Sequence, residues 1–83
     1  VIIVDLSEAI TGRINELCAE RGITLNKLST ICGITQSTLD YAVKTSNSRT
    51  SVSTIKKICD GLNITLAEFF NTETFNNLEQ EIF

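Results

Sequence analysis

The sequence predicts an all-α fold: a compact bundle of five short helices, followed by a short C-terminal helical extension. Two observations carry this. Apolar residues recur at three- and four-residue intervals through most of the chain, while the alternation of a half-buried strand is absent outside the first four residues. The same helix-to-helix joint is also written three times, as "GIT" at 22–24, "GIT" at 33–35 and "NIT" at 63–65. In each joint Gly or Asn can take the positive φ that ends a helix, and Thr can cap the next one. The Ile between them precedes the cap, where it can staple onto the residue five places later: Ile23 on Leu28, Ile34 on Leu39, Ile64 on Phe69. Tight turns of this kind join helices, not strands.

The first helix is expected over 7–21, with Ile10, Ile14, Leu17 and Cys18 on its inner face. Arg13, Glu16 and Glu20 fall outside, Ser7 is the candidate cap, and Gly12 weakens the helix without forbidding it. The second, about 25–32, carries Leu25, Leu28, Ile31 and Cys32; the third, about 36–44, carries Leu39, Ala42 and Val43. Residues 45–50, "TSNSRT", read as a polar loop. A fourth helix after Ser51 turns Val52, Ile55, Ile58, Cys59 and Leu62 inward and leaves Lys56, Lys57 and Asp60 outside. The fifth is the short "LAEFFN", opened by a capping box of Thr65 with Glu68. Phe75, Leu78 and Ile82 then share one face of a candidate sixth helix. The expected organisation is one domain over 1–83: a bundle over 7–71 and an extension over 72–83.

Composition narrows the function. A chain of 83 residues with 42% apolar content is globular, and no apolar run reaches the ~20 residues that span a bilayer. The opening "VIIVDL" lacks the basic flank and length of a signal peptide, so a soluble, cytoplasmic protein is expected. Three cysteines without a Cys-x-x-Cys pair, and no histidine, speak against a disulfide framework or a zinc site, and no cofactor is expected; Cys18, Cys32 and Cys59 read as small core residues. Nothing resembles a phosphate loop or a catalytic carboxylate pair, so no enzyme is expected. The net charge of −3 is the wrong sign for nucleic acid, but it is unevenly spread. Residues 1–24 carry −2, residues 25–58 carry +4 through Lys27, Lys44, Arg49, Lys56 and Lys57 against Asp40, and residues 59–83 carry −5.

The basic middle contains "STICGITQSTL", residues 29–39. A helix, a three-residue turn containing Gly33 and a second helix form a helix-turn-helix. Close crossing of the two helices requires a small residue four places before the glycine, and Ser29 stands there. Over residues 10–71, best in "RGITLNKLSTICGITQSTLDYAV" and "SVSTIKKICDGLNITLAEFF", the chain resembles the phage Cro and repressor type of helix-turn-helix protein, the Xre family. The resemblance implies a repressor-like five-helix bundle that binds operator DNA, usually as a homodimer. Leu25, Thr45 and Thr50 depart from the Gln, Gly and Pro that such proteins often carry at these positions.

A short capped helix with a polar outer face fits the major groove, its first turn against base edges. Gln36, Ser37, Thr38, Asp40 and Tyr41 are the candidate base readers; the Gln36 amide can pair with N6 and N7 of adenine together. Asp40 repels phosphate unless it accepts from cytosine N4 or orients a neighbour. Helix starts bind phosphate through free N–H groups, which makes those after Thr24, Thr35 and Ser51 candidates. Thr24, Asn26 and Lys27 are placed for one strand, and Lys44, Asn47, Arg49 and Ser51 for the other. The expected partner is a palindromic double-stranded operator bound by a homodimer, with no membrane or small-molecule ligand. The apolar ends, "VIIV" and Phe75 to Phe83, are candidates for the dimer contact. The alternative is a protein-binding helix-turn-helix module, such as an antitoxin, antirepressor or adaptor, that uses the acidic surface.

Overall fold

The computed structural model describes residues 5–44, with Lys44 by its backbone alone, and 50–78. These form α1 (Leu6–Arg21), α2 (Leu25–Cys32), α3 (Gln36–Lys44), α4 (Val52–Leu62), α5 (Leu66–Phe70) and α6 (Glu73–Asn76), with no strand among the described residues. "VIIV", the 45–49 loop and residues 79–83, with Ile82 and Phe83, lie outside them.

All three joints form as their residues dictate. Gly22, Gly33 and Asn63 take the left-handed conformation, at φ 63°, 69° and 58°. The following isoleucine amide then reaches back to a carbonyl of the finished helix: Ile23 to Cys18 at 3.0 Å, Ile34 to Ser29 at 3.2 Å, Ile64 to Cys59 at 2.9 Å. Each new helix is capped by the next residue. The hydroxyls of Thr24, Thr35 and Thr65 accept from the amides of Lys27, Thr38 and Glu68 at 3.0–3.1 Å. Glu68 returns the bond by accepting from the Thr65 amide, completing the capping box. Ile23, Ile34 and Ile64 are half-buried against the core that holds Leu28, Leu39 and Phe69. At the first helix Asp5 caps instead of Ser7, accepting from the Glu8 amide at 2.8 Å. Its carboxylate also suits the positive helix end, and the helix therefore starts before Ser7.

The helices enclose one core of Ile10, Ile14, Leu17, Cys18, Leu28, Leu39, Ala42, Ile55, Ile58, Cys59, Leu62 and Phe69. α1 packs mainly on α3, and α2 on α4. Two residues expected inside are not. Val52 is 65% exposed because it starts α4 one turn before Ile55, beyond the reach of the other helices. Ile31 is 40% exposed, at the margin where α2 passes over Gly61. Here α2 and α4 approach so closely that a Cβ on Gly61 would lie 2.5 Å from Cys32 Sγ and 3.1 Å from Cys32 Cα.

Arg13 departs further from its expected outer position. Helix spacing turns it away from Ile10 and Ile14, but α5 passes over that side. The Arg13 side chain, only 14% exposed, donates from Nε to the Phe69 carbonyl at 2.8 Å and from Nη2 to the Glu68 carbonyl at 2.9 Å. A five-residue helix cannot satisfy its own last carbonyls, and a cation at that end also complements its dipole. Glu16 pairs with the same guanidinium. Beyond α5 the chain folds back on α1: the Phe75 ring meets Phe70 edge-on at 4.9 Å and lies 6.1 Å from Phe69. α6 is a single turn, not the longer helix expected through Ile82.

All three cysteines are free. Burial raises the thiol pKa of Cys18 and Cys59, and pushes Cys32 up to about 11 with a further contribution from the two neighbouring cysteines.

Three outcomes test this packing. Gly61→Ala gains about 1 kcal/mol of helix propensity but overpacks the α2–α4 contact by about 1–3 kcal/mol, so the urea midpoint should fall. Arg13→Ala should lower Tm by roughly 10 °C through loss of two charge-assisted bonds, with Arg13→Lys recovering only part. Unfolded thiols ionise near 9.0 while the folded ones hold their protons, so stability should decline as pH rises from 9.0 towards 11, less steeply in Cys32→Ala.

Candidate nucleic-acid interface

The outward face of α3 starts from the Gly33 turn. Leu39 and Ala42 point into the core at 0% and 1% exposure, and the Thr11 hydroxyl ties the far end of the helix to α1 by donating to the Ala42 carbonyl at 3.1 Å. With those residues committed inward, Gln36, Ser37, Thr38 and Tyr41 stand exposed on the opposite face, and Asp40 is half-buried beside them. Tyr41 is 50% exposed although it is a large ring, an arrangement that offers a stacking or methyl-contacting surface.

Local hydrogen bonds order this face. Gln36 Nε2 donates to Asp40 Oδ1 at 3.0 Å, one helical turn on. The buried Ser29 hydroxyl donates to the Asn26 carbonyl at 2.7 Å and lies 3.4 Å from Gln36 Oε1, so the small residue at the helix crossing also touches the first side chain of α3. The Thr35 hydroxyl, while capping the helix, donates to the Thr38 hydroxyl at 2.8 Å. Thr38 and Thr35 thus form one hydroxyl pair at the helix start.

The phosphate candidates divide into two flanks. Thr24, Asn26 and Lys27 are exposed at the start of α2. Ser51 caps α4, accepting from the Thr54 amide at 3.1 Å, and a shallow groove joins it to Thr38 and Tyr41 of α3. The Lys44 side chain, Asn47 and Arg49 lie outside the described residues. Lys56 pairs with Asp60 across the surface of α4. Sequence reading missed Thr50 and Thr54, which line the same groove, and the contact of Ser29 with Gln36. The threonines carry no pattern of their own; only the approach of the α4 start to α3 gives them a place. Among the described residues no group of carboxylates or thiols is arranged to hold a metal ion, and no helix is long and apolar enough to cross a membrane.

An exposed polar helix, set by a tight turn against a second helix and flanked by two capped helix starts, is a surface suited to a duplex groove. Comparison with known proteins agrees. The Cro/C1-type HTH DNA-binding domain matches residues 13–74, nearly the stretch in which the sequence resemblance lies. The crystal structure of the prophage Lp1 protein 11 is similar to this chain with a TM-score of 0.80 and 26% identity, over 92% of this chain and 100% of that one. No curated protein matches the chain. The turn, the crossing helices and the extent of the family match together place this chain in the Cro/C1-type helix-turn-helix DNA-binding family.

Proposed function

We propose that the chain is a sequence-specific transcriptional regulator, acting as a repressor, that lays α3 in the major groove of its operator. The observation that carries this is the exposed face of Gln36, Ser37, Thr38 and Tyr41 between the starts of α2 and α4. Base edges meet the first turn of α3; Thr24, Asn26, Lys27 and Thr35 hold one strand, and Ser51 with Lys44, Asn47 and Arg49 holds the other. The resemblance to phage Cro and repressor proteins supports a repressing role. The chain is a binding protein of the cytoplasm and not an enzyme. One module of this size reads few base pairs, so it acts as a homodimer on a palindromic site, its half-sites one helical turn apart. The net negative charge makes non-specific affinity modest and the salt dependence shallow.

Selection from random duplex DNA should enrich a two-fold symmetric site. Gln36→Ala should relax preference at one position per half-site by about 1–3 kcal/mol. Lys27→Ala should weaken all sequences alike and reduce the salt slope by about 1. No enrichment at low ionic strength, with capture of a protein partner instead, would favour the protein-binding alternative.

A further inference from the structure

An amide side chain keeps nearly the same shape when turned over at its last torsion, so its hydrogen-bond partners decide which end points where. Gln36 has two such partners. Asp40 lies one turn on, at the i, i+4 spacing at which Gln and Asp side chains pair on a helix, and its Oδ1 is 3.0 Å from Nε2. An ionised carboxylate only accepts, so it faces the nitrogen end and repels the oxygen end. Ser29 is the weaker partner, because its single proton goes to the Asn26 carbonyl at 2.7 Å and leaves a long 3.4 Å contact to Oε1. Asp40 is half-buried beside Gln36, while Gln36 itself is exposed. A negative charge on a DNA-facing helix opposes every phosphate equally. Orienting one amide, by contrast, favours one base.

We infer that Asp40 is a positioning residue for base recognition: it locks the Gln36 amide in one orientation and touches no base itself. The inference rests on the DNA-reading function proposed for α3. Nε2 carries two hydrogens, one of which goes to Asp40; the other, with Oε1, matches the N7 acceptor and N6 donor of adenine. Released from Asp40, the amide turns over freely and its N–H groups serve the N7 and O6 acceptors of guanine as well. Asp40 therefore sets the choice of adenine over guanine at the position Gln36 reads.

The test measures binding to the selected operator and to duplexes with each base pair at the Gln36 position. The chains compared are the unsubstituted protein, Asp40→Ala, Asp40→Asn, Gln36→Ala and the double substitution of both residues by Ala. Both single Asp40 variants should bind every duplex at least as tightly, because a repelling charge is gone. Asp40→Ala should lose about tenfold of the adenine preference. Asp40→Asn, whose own amide can turn over and donate to Oε1 as well as accept from Nε2, should also lose much of it, because only an acceptor-only carboxylate fixes the amide. In the Gln36→Ala background, Asp40→Ala should change no base preference. A merely structural role would instead weaken all duplexes together. Unchanged preference in Asp40→Ala, or a change at a different base pair, would overturn the inference while leaving DNA reading intact. Failure of the unsubstituted chain to select any duplex would remove the proposed function, and the inference with it.

Discussion

The bond from the Ile34 amide to the Ser29 carbonyl, 3.2 Å long, closes the turn on which the other functional geometry depends. It forms only because Gly33 adopts φ 69°, a conformation that costs a residue with a Cβ about 1–2 kcal/mol. Once closed, it leaves three residues between α2 and α3, buries Ser29 at the crossing, and brings Thr35 to the position where its hydroxyl caps the new helix. Ile34 and Leu39 then hold α3 to the core from both sides of the cap. An exposed polar surface results because the apolar residues of α3 are already spent inward, not because its polar residues attract one another.

A chain of this size has little core to distribute, and the bundle uses unequal devices to supplement it. Where α2 meets α4, backbones approach until no side chain fits at Gly61, which gains dispersion contacts by shape alone. Where α5 is too short to complete its own hydrogen bonding, Arg13 lends two donors from α1. The C-terminal turn adds an aromatic cluster of Phe69, Phe70 and Phe75 over the same region. These contacts tie α2 to α4, α1 to α5 and the C-terminal turn to α5. Gln36, Ser37 and Thr38 in the first turn of α3 remain exposed.

Charge is unevenly spread. Of the acidic groups of α1, Glu8 and Glu16 border a groove with Arg13, Thr72 and Thr74. The basic residues are concentrated in the middle of the chain, so a net charge of −3 coexists with a segment at +4. For DNA binding the local field matters more than the total, because screening limits each charge to about 8–10 Å at physiological salt. Asp40 is the one acidic residue inside the basic segment, and it accepts from Gln36 Nε2.

By itself the sequence determined the three joints, their caps and most of the core, because each depends on residues within five positions of one another. Positive φ at Gly33, a Thr hydroxyl three residues before an amide, and isoleucine beside them are local facts. The outward set of α3 was legible for the same reason: helical period separates Leu39 and Ala42 from Gln36, Ser37 and Tyr41. Tertiary structure alone decided what distant segments do to these elements. Arg13 reads as a solvent-facing residue until α5 arrives, 55 residues later, with carbonyls in need of donors. Gly61 carries no pattern in the sequence, and only the approach of α2 gives its missing side chain a use. Val52 has the right period for the core and no neighbour to bury it. Ser29, chosen for its size, also meets Gln36 across the turn, because the crossing that demands a small side chain brings its hydroxyl within reach.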